Sequence, residues 1–194
     1  MKVVGITGGI GSGKTTACRI FEELGVPVYY ADARAKYLMT NDPILRKKII
    51  LEFGDKAFEN GNLNRAYLAQ VVFNNEDRLA VLNGLVHPAV SEDFEAWLNT
   101  HTLARYVLKE AAILFESGAY QDVDITVLVI APEDLRIARV TERDGVSQDD
   151  VVKRMKNQWT QERKAKLADH ILNNDGVQLL TPQVLNLHKI FTGK

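Results

Sequence analysis

Five short apolar runs along the chain have the character of buried β-strands. They are Lys2–Thr7, Val26–Tyr30, Arg105–Leu108, Ile125–Ile130 and a weaker run at His170–Leu172. Four of these runs are followed by turn or polar residues and then by apolar positions at helical spacing. Strands that alternate with helices predict a parallel sheet, and near-continuous apolar strands suit burial on both faces. We therefore expect an α/β fold in three layers, α/β/α, with about five parallel strands.

The stretch from Ala31 to Asn99 interrupts this alternation, because it contains no convincing strand. Apolar residues recur at helical spacing between Leu63 and Leu85. Asn41-Asp42-Pro43 is typical of a helix cap followed by proline in the first turn, and Asn60-Gly61-Asn62 predicts a turn. About 70 residues are too many for an ordinary crossover. We therefore interpret this stretch as a helical insertion that builds a binding surface.

Composition narrows the classes of protein to which the chain can belong. It has 194 residues, 46% of them hydrophobic and 25% charged, which is close to an average single soluble domain. The 24 Lys and Arg against 25 Asp and Glu give a net charge of −1, which does not support a general nucleic-acid binder. Cys18 is the only cysteine, so no internal disulfide framework exists, and we expect a buried thiol there.

Targeting signals are not apparent in the sequence. The start lacks the apolar segment of a signal peptide, and no apolar run approaches the ~20 residues of a membrane span. We therefore expect a cytoplasmic protein without a membrane partner.

The motif that carries chemistry is the phosphate-loop pattern G-x-x-x-x-G-K-[ST]. Residues 8–15, Gly-Gly-Ile-Gly-Ser-Gly-Lys-Thr, fit it at every position, between a strand and a helical pattern at Thr16–Leu24. The glycines let backbone N–H groups converge on phosphate oxygens, and the helix N-terminus adds partial positive charge. Lys14 is expected to reach the β- and γ-phosphates and Thr15 to ligate Mg²⁺. The predicted contacts with ATP from this region are Gly9, Gly11, Ser12, Gly13, Lys14, Thr15 and Thr16.

The fate of the γ-phosphate separates three classes of protein. A GTPase switch needs Asn-Lys-x-Asp and usually Asp-x-x-Gly, and neither occurs. A motor ATPase usually needs a larger chain or an arginine from a neighbour. A kinase would use both unusual regions, with the insertion holding the acceptor and a basic stretch closing over the phosphates. A nucleotide-dependent binding or switch protein, which passes phosphate only to water, stays open at this point.

The basic stretch lies at residues 153–166. It contains six Lys or Arg and one acidic residue, Glu162. The stretch lies inside a helical region that Ser147 is predicted to cap, with Asp149 and Asp150 in the first turn. The stretch is interpreted as part of a lid or as part of an oligomer contact.

Two carboxylates follow predicted strands, at the edge of the sheet where ligands bind in open α/β folds. Asp32 can accept or orient a hydroxyl proton, or it can cap a helix at Ala33–Met39. Glu110 can lie near Mg²⁺ without ligating it directly, or it can be a solvated carboxylate at a strand end. The residue types alone do not decide between base and cap for Asp32, or between the two positions for Glu110.

Three arginines and a histidine complete the candidates. Arg136, Arg139 and Arg143 would share one helix face, either as clamps on the transferring phosphate or as a solvated cationic face. His87 is interpreted as a turn residue before a helix that starts at Pro88. The four histidines are scattered, so a histidine metal site is not expected.

Short motifs in a fixed order resemble those of the dephospho-CoA kinase family over essentially the whole chain. Each is weak alone, but their order and spacing together are specific. They are Gly5 to Thr15 (GITGGIGSGKT), Asp32-Ala33, Leu63-Asn64-Arg65, His87-Pro88, Leu114-Phe115-Glu116, Arg143-Asp144-Gly145, Arg154, Ala168-Asp169, Asn174 and Gly176. The sequence departs from the family at Tyr30, where an acid is common, and at Ala112, where proline is common.

The resemblance implies a P-loop kinase that phosphorylates the ribose 3′-hydroxyl of dephospho-CoA with Mg²⁺-ATP, giving CoA and ADP, the final step of coenzyme A biosynthesis. It implies one kinase domain over residues 1–194, with a core at 1–31, 100–131 and 167–194. The acceptor-binding part would be 32–99 and the lid 132–166. The substrates would be the partners, with no obligatory protein partner. The alternative is a P-loop kinase that acts on another nucleoside or nucleotide.

The resemblance also implies individual roles. Asp32 would act as general base, with Lys14 and Arg139 as further catalytic groups. Arg143 and Asn174 would bind ATP. For Glu110, the resemblance favours the position near Mg²⁺ over the solvated carboxylate. The remaining acceptor-binding candidates are Arg65, His87 and Glu116.

Overall fold

The computed structural model describes residues 1–72 and 75–193. The chain divides into two compact units, one formed by residues 1–30 and 101–194 and the other by residues 31–100. The functional division into core, acceptor-binding part and lid stays a prediction, because folding units do not by themselves assign roles.

The first unit is built on a five-stranded parallel sheet. Its strands, in chain order, are β1 (Lys2–Thr7), β2 (Val28–Tyr30), β5 (Tyr106–Glu110), β6 (Ile125–Ile130) and β7 (His170–Asn173), and their order in the sheet is β2-β5-β1-β6-β7. In register, Val4 stands opposite Leu108 on one side and Ile125 on the other. The predicted α/β fold is confirmed; β1 and β6 have the predicted boundaries, and those of β2, β5 and β7 are shifted by one or two residues.

Helices cover the sheet of the first unit. They are α1 (Lys14–Glu23), α6 (Glu133–Asp144), α7 (Gln148–Lys156), α8 (Gln161–Ala165) and α9 (Leu180–Thr192), with a short 3-10 helix at Ala119–Asp122. The main core joins the inner side chains of the strands to α1 and α9, with Phe21 and Val184 fully buried. Gly5 faces the opposite side, where a Cβ would lie 2.8 Å from Leu114 Cδ2. Ser147 caps α7 as predicted, since its Oγ accepts a hydrogen bond from the N–H of Asp150.

The second unit is mainly helical. Its elements are α2 (Ala31–Asn41), α3 (Pro43–Phe53), a 3-10 helix at Asp55–Ala57, β3 (Phe58–Glu59), β4 (Asn62–Leu63), α4 (Arg65–Val72) and α5 (Glu76–Asn99). Leu45, Ile49 and Phe53 form one side of its core, with Leu38 and Leu68 from neighbouring helices. The predicted cap is confirmed, because the Asp42 side chain accepts a hydrogen bond of 2.7 Å from the N–H of Leu45. Within the described residues, no helix combines the length and apolar character that crossing a membrane requires.

The expectation of no strand between Ala31 and Asn99 is wrong. Strands β3 and β4 pair antiparallel across the predicted turn, in which Asn60 (φ 49°) and Gly61 (φ 83°) are both left-handed. Left-handed residues at both central positions match the twist of a two-residue hairpin. Two residues per strand are too few to produce an alternating pattern, so the turn was predictable and the strands were not.

The expectation that a helix starts at Pro88, with His87 in a turn before it, is also wrong. Helix α5 runs through this proline, from Glu76 to Asn99. A proline inside a helix removes the hydrogen bond to the residue four positions earlier, here Gly84. Both residues are exposed, so water can bind the Gly84 carbonyl. Burial of Val86 and Phe94 on either side of the proline offsets the loss.

Asp169 joins the start of β7 to the start of β6. Its Oδ2 accepts hydrogen bonds from Thr126 Oγ1 at 2.7 Å and from the Thr126 N–H at 2.8 Å. These bonds, the side-chain one foremost, hold the pKa of the Asp169 carboxyl below its usual range. The ionised carboxylate therefore stabilises the paired ends of two strands.

We expect Asp169→Asn to lower the melting temperature at neutral pH and to matter less in acid. A carboxyl whose pKa is lowered by folding contributes fully above its unfolded-state pKa of about 4, and this contribution is lost as the pH falls through the folded-state value. Thermal unfolding of both proteins from neutral pH to about pH 3 checks this. A difference in melting temperature that is unchanged in acid would contradict the assignment.

Candidate active site

The phosphate loop connects β1 to α1 through two left-handed glycines. Gly11 has φ +78° and Gly13 has φ +93°, and the Ser12 N–H donates to the Gly9 carbonyl at 3.0 Å inside the loop. Helix α1 begins at Lys14, two residues before the predicted start. A cavity of about 320 Å³ lies at this junction. Its lining residues are Gly11, Gly13, Lys14, Thr15, Thr16, Arg19, Arg139, Val140 and Arg143.

Asn174, which follows β7, is joined to the phosphate loop. Its Nδ2 donates to the Ser12 carbonyl at 2.8 Å, while Arg139 donates to the Asn174 carbonyl at 3.2 Å and to Asn174 Oδ1 at 3.4 Å. A Cβ on Gly13 would collide with Asn174 Nδ2, so glycine is required there both for its φ and for this approach. The structure thus brings together Asn174 and Arg139, which the sequence places far apart.

Lys14 and Glu110 face each other beneath the loop. Lys14 Nζ lies 3.6 Å from Glu110 Oε1, and the two side chains are only 12% and 8% exposed. Glu110 ends β5 in register with Ile6 of β1 and Tyr30 of β2. The alternative of a solvated carboxylate at a strand end is therefore wrong for Glu110.

The donor set around the loop fits Mg²⁺ bound together with a nucleotide. Mg²⁺ usually takes one or two protein oxygens plus phosphate and water, not an all-protein cage. Among the described residues, no group of three or more His, Cys, Asp or Glu could hold a metal ion alone. The Thr15 hydroxyl at the cavity and the nearby Glu110 carboxylate provide oxygens of the expected type.

The three arginines of α6 have three different environments. Arg136 is buried and donates from Nε to the Ile10 carbonyl at 2.9 Å, so a solvated face is wrong for this residue. Burial lowers the pKa of its guanidinium. Arg139 and Arg143 line the cavity, and Arg143 also pairs with Asp144 at 2.7 Å.

Comparisons with known proteins decide the family. A family model described as dephospho-CoA kinase matches residues 2–179. The chain belongs to the dephospho-CoA kinase family. A curated dephospho-CoA kinase of Salinibacter ruber is 48% identical over 179 residues, which cover 91% of this chain and 90% of that protein. One of Bacteroides fragilis (strain YCH46) is 38% identical over 184 residues, which cover 95% and 90%.

Solved structures agree on the fold. A structure from Thermus thermophilus has a TM-score of 0.87 and 34% identity, covering 97% of this chain and 96% of that one. A dephospho-CoA kinase from Campylobacter jejuni, at 24% identity and a TM-score of 0.70, covers 98% of both chains and supports the fold alone. The resemblance to this kinase family and the predicted P-loop core are confirmed, and the alternative of a P-loop kinase that acts on another nucleoside or nucleotide is not favoured.

Glu116, a predicted acceptor contact in this kinase-family chain, is held by a buried cation. Its Oε1 lies 2.8 Å from Lys164 Nζ and accepts a hydrogen bond of 3.0 Å from the Trp159 N–H. Lys164 is completely buried and also donates to the Ala112 carbonyl at 3.2 Å. Sequence reasoning placed Lys164 among the cations of the basic stretch, because nothing in the local pattern marks its burial. The acceptor role of Glu116 stays a prediction.

The other acceptor-binding candidates lie in the second unit. Asp32 is an exposed residue in the first turn of α2, which begins at Ala31, so the alternative of an N-cap for Ala33–Met39 is wrong. Arg65 is the exposed first residue of α4, and His87 is exposed in the middle of α5. Their contacts with an acceptor stay predictions.

Cys18 has the environment expected of it. The thiol is fully buried on the inner face of α1, one turn after Lys14. Burial, followed by the nearby Glu110 carboxylate, raises the pKa of the thiol. Cys18 therefore packs as a small apolar side chain.

We expect Gly13→Ala to abolish tight ATP binding, whereas the control Gly25→Ala keeps it. Both glycines are left-handed, so each substitution costs about 1–2 kcal/mol of backbone strain. The Gly25 Cβ would enter open space, but the Gly13 Cβ would displace Asn174. Calorimetry with ATP should show at least a tenfold weaker affinity for Gly13→Ala only. Equal ATP affinities in the two variants would contradict the proposed importance of this contact.

Proposed function

We propose that this chain transfers the γ-phosphoryl group of ATP to the ribose 3′-hydroxyl of dephospho-CoA, with CoA and ADP as products. The observation that carries the proposal is the phosphate-loop cavity in a chain that belongs to the dephospho-CoA kinase family. The 48% identical relative is named for the same acceptor.

The phosphate end of ATP is bound by the first unit. Backbone N–H groups at the start of α1 and the Lys14 ammonium meet the phosphate oxygens. The ion pair between Lys14 Nζ and Glu110 Oε1 is long, at 3.6 Å, so a phosphate oxygen can compete with Glu110 for the ammonium group. Arg139 and Arg143, on the same cavity wall, neutralise the charge that spreads over the transferring group.

Mg²⁺ supplies charge neutralisation between the phosphates when it binds with ATP. The Thr15 hydroxyl would hold it, with Glu110 positioned beneath the loop to attract it or its waters. With phosphate and water oxygens as the remaining ligands, this arrangement requires no further acidic ligands from the chain.

Asp32 handles the proton of the acceptor hydroxyl. Phosphoryl transfer passes through a loose transition state, in which the hydroxyl proton leaves late. A carboxylate need only accept a hydrogen bond from the hydroxyl at first and take the proton as the new bond forms. Arg65 and His87 belong to the same unit as Asp32 and are proposed to contact the anionic acceptor.

The direct test is ADP release from Mg²⁺-ATP with and without dephospho-CoA, with the product mass recorded. We expect strong stimulation by dephospho-CoA and a product heavier by one phosphate, because the γ-phosphoryl group is transferred to the acceptor and not to water. Slow ADP release that no acceptor stimulates would overturn the kinase proposal. Stimulation by another nucleoside or nucleotide, and not by dephospho-CoA, would overturn the choice of acceptor.

We expect Asp32→Asn to fold and to bind ATP normally while turnover falls about 10²–10⁴-fold, the usual contribution of a general base. Asp77→Asn is the matched control, because Asp77 is also exposed in the first turn of a helix of the second unit. Steady-state turnover at saturating substrates distinguishes the two variants. Near-normal turnover of Asp32→Asn would remove Asp32 from the base role.

A further inference from the structure

Ile10, at the outer turn of the phosphate loop, is held from two sides. Its carbonyl accepts a hydrogen bond from Arg136 Nε at 2.9 Å, and its N–H donates to Gln158 Oε1 at 2.9 Å. Arg136 lies in α6, and Gln158 lies between α7 and α8. Both backbone groups of this one residue are thus bound by side chains from the segment predicted to be the lid.

The loop depends on such external bonds because it has few of its own. Glycines at positions 8, 9, 11 and 13 leave its backbone with more conformational freedom than any other residue type would. Within the loop, the Ser12 N–H donates to Gly9, while Asn174 binds the Ser12 carbonyl from outside. A loop that is already ordered loses less entropy when it binds phosphate.

Gln158 is itself held in place by a buried ion pair. The next residue, Trp159, donates its N–H to Glu116 Oε1, and the same oxygen lies 2.8 Å from Lys164 Nζ. The Gln158 N–H donates to the Met155 carbonyl at 3.0 Å at the end of α7. The Gln158 side chain therefore projects from a fixed backbone towards Ile10.

Gln161 offers a natural comparison within the same segment. Its side chain accepts a hydrogen bond from the Ala131 N–H and donates to the Ala131 carbonyl, both at 3.0 Å. Both side chains thus bind the backbone of a residue that follows a strand, Ile10 after β1 for Gln158 and Ala131 after β6 for Gln161. Of the two, only Gln158 binds the phosphate loop. A purely structural role predicts similar consequences for the loss of either side chain.

We propose that Gln158 is a positioning residue for ATP, which acts by fixing the Ile10 peptide and with it the conformation of the phosphate loop. The proposal rests on ATP binding at this loop but not on the identity of the acceptor. Gln158 does not touch the reacting atoms; it reduces the ordering that the loop undergoes when phosphate binds.

The experiment compares Gln158→Met with Gln161→Met. Methionine keeps the length of the side chain and removes the hydrogen-bonding groups. We expect Gln158→Met to raise the Kd for ATP, measured without acceptor, about five- to tenfold, the value of one net hydrogen bond. The Gln161→Met variant should stay within about twofold of the wild type in ATP affinity, because its bonds lie outside the loop. In both variants the KM for the acceptor should be unchanged.

Hydrogen exchange at the Ile10 amide gives an independent readout. This amide should exchange faster in Gln158→Met and normally in Gln161→Met, since only the first loses its acceptor. Gln158→Glu, which keeps an acceptor oxygen, should retain protection of the amide. Gln158→Ala, which also lacks an acceptor, replaces the methionine variant if that protein does not fold. ATP affinity of Gln158→Met equal to the wild type, or equal losses in the two methionine variants, would overturn the proposal. Since ATP binding is measured alone, a wrong choice of acceptor leaves this test intact.

Discussion

The backbone between β1 and α1 must turn left-handed twice before the helix can begin, and the remaining site is arranged around that turn. Gly13 permits both the positive φ and the close approach of Asn174, which in turn receives Arg139. Arg136 and Gln158 then occupy the two polar groups of Ile10. Several backbone N–H and C=O groups of this short loop have no hydrogen-bond partner inside the loop. Residues that are distant in sequence therefore converge on it and supply those hydrogen bonds.

Burial of charge is the second organising feature of the first unit. Lys14 and Lys164 are each paired with a glutamate, at Glu110 and Glu116, under or beside the phosphate loop. Arg136 adds a further buried cation; burial lowers the pKa of its guanidinium, and the charges of Glu133 and Glu162 partly oppose that shift. The buried cations beside the loop are therefore held by carboxylates of the same unit, which limits the cost of burying their charge.

The sequence predicted those parts that leave a local signal. Apolar runs located all five parallel strands, and the phosphate-loop motif located the turn at Gly13 with its flanking strand and helix. The two strands that flank the turn at Asn60-Gly61 were missed because two residues per strand leave no alternating pattern. The helix through Pro88 was missed because packing on either side of the proline, and not the local sequence, sustains it. Burial of Lys164 and the contacts of Gln158 were not predictable, since a side chain's tertiary partner is not encoded in its neighbours along the chain.

The two contacts at Ile10 also close residues 136–158 into a circuit that starts and ends at the phosphate loop. Arg136 at the beginning of this segment and Gln158 at its end are both fastened to the same residue. The intervening chain, from the second half of α6 through α7, therefore begins and ends at contacts with one residue of the phosphate loop. Asp144 ties α6 to α7 inside this closed stretch, since it pairs with both Arg143 and Arg154, so a change at Ile10 is connected to these arginines through a continuous set of contacts.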